Sequence, residues 1–486
     1  MKQMKKRMCS ILAAVMCVSA MTGCAANPDR GAVTSKNDGV FEQNMTVAAT
    51  APLDEQLQYT DTFTSTDGTV EYSINLQQQL TSDPLPIVEV VPHFFTGEEV
   101  KNICNILLGE TEWREQVHEG DPQYSKEEIQ KKLKWMTEMA NVDAMRSLCL
   151  ERADESYDFA DELDTLKRQM QYYTVQLETA PEEHPRALCD WTFKDEGLYV
   201  SPSYGNTVIH ATTYIEDIEY SVYSVHRDRN DYKLSSLSVS IGGNRDYLDK
   251  EYIYSQLLRT EKPTQEQIDG LMEKAQSLLD QMGVGQWKVS HAEVNEELYG
   301  GGSEYTVRIF AVPILNGTPA IYKQPTEALM SEDANASNYH TANVLFSFSA
   351  NGDLIYFEMQ SPVDVTTVVN EGAAILSMEE LMEKAKDHLS LTGLEEARDY
   401  WLLSMYYETP VTCKVEVDHV EFGLVRVKVA DKDFTYYYTP AIAVYGKTQY
   451  YDQGTDNLVN NVFVSDPNES FCLFWINAID GSIITN

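Results

Sequence analysis

The chain has 486 residues, 43% hydrophobic and 23% charged, enough apolar content for packed cores and too much for a disordered polyelectrolyte. Its 76 acidic residues against 37 basic ones give a formal charge of −39, and no block of basic residues offsets that excess beyond the first few positions. Nucleic acid and anionic membrane surfaces are therefore poor partners, since neutralising phosphates requires clustered Lys and Arg.

Lys2, Lys5, Lys6 and Arg7 precede an apolar run from Cys9 to Met21. This run is shorter than the roughly 20 residues of a permanent span and reads as an export signal. It ends in Met21-Thr22-Gly23-Cys24, which resembles the bacterial lipoprotein signal, a small residue before an obligatory cysteine, with Met21 in place of the more usual Leu. The resemblance implies a signal peptide over residues 1–23, cleavage before Cys24, and a diacylglyceryl group with palmitate-type chains on its thiol. Two acyl chains give stable anchoring, so the expected location is extracellular, on the outer face of the cytoplasmic membrane. Residues 24–59 are rich in Ala, Thr, Asn, Asp and Gly, lack sustained apolar periodicity, and read as a flexible tether with a reach of about 30–35 Å.

Beyond the anchor, Cys104, Cys149, Cys189, Cys413 and Cys472 remain, an odd number whose spacing fits neither a zinc site nor a C-x-x-C pair. They read as small buried apolar residues. From Val70 to Leu76 the chain alternates as a half-buried strand, and Ile87–Val91 follows the turn residues Pro84 and Pro86. Thr96 and Glu99 form a capping box for a helix whose stripe is Val100, Ile103, Cys104, Leu107 and Leu108, stopping at Gly109. Ser125 and Glu128 cap a second helix with Ile129, Leu133 and Met136 inward, and Leu163, Leu166, Met170, Tyr173 and Leu177 mark a third that ends before Pro181. These two predict an acidic helical hairpin over about 125–180, its Asp and Glu on solvated faces. Strands are expected at 207–213, 220–225 and 234–241, completing an α+β domain over residues 60–259.

The remainder carries an internal repeat, with units over 262–362 and 375–486. Leu271-Met272-Glu273-Lys274-Ala275 recurs as Leu381-Met382-Glu383-Lys384-Ala385, Thr318-Pro319-Ala320-Ile321 recurs as Thr439-Pro440-Ala441-Ile442, and the hairpin at Asn351-Gly352 recurs at Asp480-Gly481. Both helices are boxed, by Thr264 with Gln267 and by Ser377 with Glu380. The Asn-Gly and Asp-Gly pairs predict two-residue turns with both central residues at positive φ. Each unit is then one helix on an antiparallel sheet, and the whole chain α+β, an N-terminal domain with a helical hairpin followed by two helix-on-sheet repeats. The boxed helix, the Pro-Ala-Ile strands at 319–321 and 440–442, and the closing Asn-Ala-Ile-Asp-Gly-Ser-Ile-Ile at 477–484 resemble the PepSY-type extracellular domain. The full body also resembles an uncharacterised family of Gram-positive lipoproteins, a domain of unknown function. The PepSY resemblance implies protein binding or inhibition, and transfers no functional residue.

Signals for catalysis are sparse. The nine histidines are scattered, with no H-E-x-x-H, and Gly300-Gly301-Gly302-Ser303 fits no nucleophile or phosphate loop. No catalytic group, metal or cofactor is expected, and whether the chain turns anything over is left open. Tyr436, Tyr438, Tyr445 and Tyr450 offer a candidate binding surface for an envelope protein partner. The expected function is that of a lipid-anchored binding or regulatory module at the cell surface. Solute or glycan binding is the alternative, and an envelope hydrolase is the more distant one.

Overall fold

Period-two alternation governs more of this chain than helical periodicity does. The computed structural model describes residues 40–115, 124–141, 143, 160–195, 206–215, 218–228, 233–241, 261–299, 302–321, 342–394, 411–428, 435–452, 458–459 and 470–484. Half of them lie in strands and about a quarter in helices, so the fold is mainly β, built on two large sheets. This corrects the α+β expectation. The capped helices form where they were expected, three of them as short covers on sheets more extensive than their sequence signals and the fourth, Lys126–Met139, packed on a neighbouring helix.

In chain order, α1 (Val40–Asn44), β1 (Leu53–Thr64), β2 (Val70–Ser82) and β3 (Ile87–Pro92) precede α2 (Gly97–Leu108). Then come β4 (Arg114–Glu115), α3 (Lys126–Met139), α4 (Ala160–Thr179), β5 (Lys194–Asp195), and the meander β6 (Asn206–Ile215), β7 (Ile218–Asp228) and β8 (Lys233–Ile241). The first repeat comprises α5 (Gln265–Met282), β9 (Trp287–Tyr299), β10 (Gly302–Leu315), β11 (Thr318–Pro319), β12 (Asn343–Ser349) and β13 (Leu354–Gln360). After β14 (Val363–Asn370), the second comprises α6 (Met378–Leu391), β15 (Val411–Lys428), β16 (Tyr436–Asp452), β17 (Phe471–Asn477) and β18 (Ile483–Ile484).

The eight-stranded sheet runs β1-β2-β15-β16-β17-β18, with β3 joining β16 to β14. The ten-stranded sheet runs β11-β10-β12-β13-β8-β7-β6-β4, with β9 on β10 and β5 on β6. The interval 60–259 is therefore shared out, β1 to β3 entering one sheet and β4 to β8 the other. Residues 40–59, placed in the tether by composition, also contribute structure: Phe41 packs on Tyr437 at 5.9 Å, Met45 is buried, Ala48 bridges Ala373, and β1 begins at Leu53. Residues 1–39, including Cys24, lie outside the described residues, as does Cys149.

Both repeats place a helix ahead of four strands paired first to fourth in order, β9-β10-β12-β13 and β15-β16-β17-β18. Leu271, Ala275 and Leu279 bury α5 on one sheet as Leu381, Ala385 and Leu389 bury α6 on the other. The same lysine covers the same turn in each. The Lys274 ammonium donates to the Gly352 carbonyl at 2.7 Å, and a Cβ added to Gly481 would lie 3.1 Å from Cγ of Lys384.

Two expectations about the repeat are corrected by register. Thr318-Pro319 forms the separate strand β11, whereas Thr439-Pro440 lies inside β16, where Ala441 and Ile442 face Asn477 and Ile476; the counterpart pairs are Thr306 with Ser349 and Val307 with Phe348. That match is a coincidence of composition. The closing hairpins are also longer than two-residue turns: Gly352 and Gly481 have positive φ but Asn351 and Asp480 do not, and Gly352 N–H donates to the Ser349 carbonyl before a single left-handed glycine.

Candidate functional site

The four tyrosines proposed as a contact surface are core residues. Tyr436, Tyr438, Tyr445 and Tyr450 retain 4%, 1%, 2% and 1% of their exposure. Tyr436 sits under the Arg426 guanidinium at 3.7 Å, and the Tyr445 hydroxyl donates to Glu421 at 2.6 Å. The four fall in three core clusters: Tyr436 and Tyr438 in one, Tyr450 in a second, and Tyr445, at a register shift with β17, in a third. They are packing, and the surface they were to provide does not exist.

Nor do Cys104, Cys189 and Cys413 supply a nucleophile. Burial pushes Cys104 and Cys413 well up and Cys189 up to about 11, so none of the three is a thiolate at neutral pH. Among the described residues no group of three or more His, Cys, Asp or Glu is placed to hold a metal ion, and no helix is long and apolar enough to cross a membrane.

The structure instead assembles a cleft of about 850 Å³ between α3 and the β4–β6 end of the ten-stranded sheet. Ser125 caps α3, its hydroxyl accepting from Glu128 N–H at 3.4 Å while the Glu128 carboxylate accepts from Ser125 N–H at 2.7 Å. Ile129, Met136, Leu166 and Tyr173 form the buried core of the α3–α4 hairpin. The chain then turns at Pro181, whose carbonyl takes the Lys126 N–H at 2.9 Å, and brings His184 to within 3.2 Å of Glu128. Burial alone would raise the Glu128 carboxyl; the His184 ring and the Ser125 N–H and hydroxyl outweigh it and hold the group down at about 2. Glu128 is thus a fixed anion and not a proton donor.

Two cations lie beneath this wall. Lys132 keeps 5% of its exposure, its ammonium 4.7 Å from the Tyr124 ring centre and 5.3 Å from that of Tyr173. Arg186 keeps 4%, donating to Thr212 Oγ1 at 2.5 Å with Glu219 3.7 Å away. From the sheet side Arg114 donates to the Arg186 carbonyl at 3.0 Å and to Glu112 at 2.9 Å, and the Thr111 and Thr213 hydroxyls meet at 2.8 Å. Trp135 and Tyr214 add aromatic faces, and Lys131, Lys134, Glu127, Glu138 and Glu182 complete the charged lining.

Sequence reasoning treated this hairpin as a solvated acidic surface and so missed the cleft. A signal was present in Lys131-Lys132-Leu133-Lys134, the densest basic run after the first residues of a strongly acidic chain. Lys132 follows Ile129 by three and precedes Met136 by four, which puts it on the inward stripe where a lysine requires a partner.

The chain matches no protein-family model and no curated protein. Among solved structures it is similar to an uncharacterized protein from Eubacterium rectale ATCC 33656, at 12% identity and a TM-score of 0.35 over 92% of this chain and 98% of that one.

Proposed function

We propose that the protein is a lipid-anchored extracytoplasmic binding protein that holds a small zwitterionic solute, an amino acid or short peptide, in the cleft between α3 and β6. The observation that carries this reading is the buried Lys132 in a cleft lining that mixes both signs, with Arg186, matched by Glu219, behind it, in a chain with 76 acidic and 37 basic residues. Burying a lysine or arginine is costly and persists where partners hold it. Here the tyrosine rings and Thr212 hold the cations in place before any ligand arrives, which lowers the ordering cost of binding. A solute carboxylate meets Lys132, Lys131 or Arg114; an ammonium meets Glu127 or Glu138; and the Trp135 ring packs against what lies between.

Isothermal titration and native mass spectrometry with a panel of amino acids, dipeptides and neutral sugars test this. One equivalent of a zwitterion should bind, about tenfold more weakly in Lys132→Met. Binding by none of the panel, or binding indifferent to both Lys132→Met and Trp135→Ala, would sink the cleft reading. The anchor is tested separately. Cys24→Ser should move the protein from the membrane fraction to the soluble one, and unchanged partition would remove the lipidation from the proposal.

A further inference from the structure

The outward face of β1 and β2 differs from the rest of this acidic surface. Alternation turns Leu57, Tyr72, Ile74, Leu76 and Leu80 inward, and the opposite positions are Asp54, Gln56, Gln58, Thr60, Thr62 and Thr64 on β1 with Glu71, Ser73, Asn75, Gln77, Gln79 and Thr81 on β2. Ten of these twelve are amides or hydroxyls, none is apolar and none is basic. Gln56 faces Gln79, Gln58 faces Gln77, Thr60 faces Asn75 and Thr62 faces Ser73, through a register that runs from Leu53 to Thr64 without a shift. On such a sheet neighbouring strands lie about 4.8 Å apart and like-facing residues about 6.8 Å apart, so the side chains form a regular grid.

The two lysines at this face are already matched, while Asp54 and the exposed Glu416 on β15, opposite Ser73, keep their charge. Asp54 accepts from the Gln79 amide at 2.8 Å, Lys414 on β15 lies 3.7 Å from Glu71, and Lys447 on β16 lies 3.8 Å from Asp418. Among the described residues an anionic polymer finds no unpaired cation there, and an apolar partner finds no apolar side chain. What remains is an array of amides, each both donor and acceptor, and hydroxyls that donate and accept.

We propose that this face is a second binding surface, distinct from the cleft, that lies against a neutral, hydroxyl-rich polysaccharide. Hydrogen bonds from Gln56, Gln58, Asn75 and Gln77 to sugar hydroxyls hold it, with Thr60 and Thr62 between them. No described strand pairs with the outer edge of β1, which leaves one side of the grid open to a chain longer than the face.

Native affinity electrophoresis of the full-length chain in gels containing hydroxyethylcellulose, amylopectin or dextran sulfate reads this out. Retardation by a neutral polymer, surviving high salt and weakened about tenfold in Gln58→Ala/Asn75→Ala/Gln77→Ala, is expected. All three substitutions are on the solvated face, and an unchanged thermal melt confirms that the variant is folded. Lys132→Met in the cleft should leave the retardation intact, so failure here and failure of the solute reading are distinguishable. Retardation by dextran sulfate alone, none by the neutral polymers, a triple variant that behaves as the parent, or loss of retardation in Lys132→Met would each overturn the proposal. So would a dimer that the triple variant dissolves, since the face would then be covered by a second copy.

Discussion

In the first repeat the sheet is continued from its fourth strand: β8 pairs antiparallel with β13, from Ser240 opposite Tyr356 to Ser236 opposite Gln360. In the second it is continued from its first, where β2 pairs parallel with β15, from Val70 opposite Cys413 to Ile74 opposite Val417. The shared unit of helix, four strands and lysine-covered turn is the same in both; what differs is the edge left open to recruit more strands. The candidate sites follow that difference. The cleft is built on β4 and β6, beyond the added side of the first unit, and the polar grid on β1 and β2, beyond the added side of the second. Helix packing is the part the two repeats share, and the sheet extensions hold both candidate sites.

The largest effect should come from the buried aromatics that fasten each unit. Phe346 is fully buried, with Phe348 at 5.6 Å and Phe357 at 4.9 Å, and Phe474 packs against the His388 ring at 4.7 Å. Phe346→Ala and Phe474→Ala should each cost about 3–5 kcal/mol. The chain crosses between sheets at β3 to α2 and at β13 to β14, the Phe95 N–H donates to the Ser235 hydroxyl at 3.3 Å, and Ile321 N–H donates to the Leu424 carbonyl at 2.9 Å. Calorimetry should accordingly show one transition lowered by either variant. Two transitions, each moved by only one substitution, would mean that the units are separate bodies.

A second effect belongs to the cleft side alone. The Glu128 carboxyl goes from an ordinary 4.5 to about 2 on folding, so its stabilisation is fully present above pH ~4.5 and is lost as pH falls through 2. Its full size is about 3 kcal/mol, and Glu128→Gln removes it at neutral pH while keeping a side-chain acceptor for the capping box, as Gln267 does for Thr264. Hairpin stability in the parent, followed by hydrogen exchange in α3, should fall across that window, while the variant is flat. A parallel fall in the variant would place the acid sensitivity elsewhere.

These comparisons also mark what was legible in the sequence. The four capping boxes were plain, because each needs one hydroxyl and one Glu or Gln three residues on. The meander β6 to β8 was plain as well, its three runs rich in Val, Ile, Thr and Tyr. β1 was not, since as an edge strand it turns only Leu53, Leu57, Tyr59 and Phe63 inward and fills the other positions with the polar residues that composition assigns to a tether. Its omission, and that of β14, is what made the chain read as α+β. The cleft was hidden for a different reason: Lys132 and Arg186 are far apart in sequence, and only the hairpin turn at Pro181 brings His184 and Arg186 back beside α3. The tyrosines misled because exposure on a strand depends on what covers each face, which local alternation does not reveal.

A finer pair of substitutions probes the closing turns. Gly352 and Gly481 sit at φ 90° and 73°, where a Cβ costs about 1–2 kcal/mol. At Gly352 the added methyl would meet Leu271 at 3.5 Å, an ordinary contact, whereas at Gly481 it would meet Lys384 at 3.1 Å and Leu376 at 3.2 Å. Gly481→Ala should therefore be the more damaging of the two in urea denaturation. Equal losses would indicate that Lys384 swings aside and that only the backbone term counts.

The smallest effect separates the two lysines themselves. Lys274 donates to the Gly352 carbonyl at 2.7 Å and stands 5.1 Å from the Phe348 ring centre, so replacing its ammonium removes a charge-assisted hydrogen bond and a cation–π contact. Both are solvent-screened, and Lys274→Met should cost about 0.5–1 kcal/mol. Lys384 touches its turn through methylene carbons at Cγ and Cε, which methionine largely reproduces, so Lys384→Met should be close to neutral. Measured side by side by denaturant midpoint, a loss confined to the first repeat shows that the lysine closes that turn through its charge. Equal losses would mean that both repeats use the ammonium, and no loss in either would reduce the shared lysine to packing.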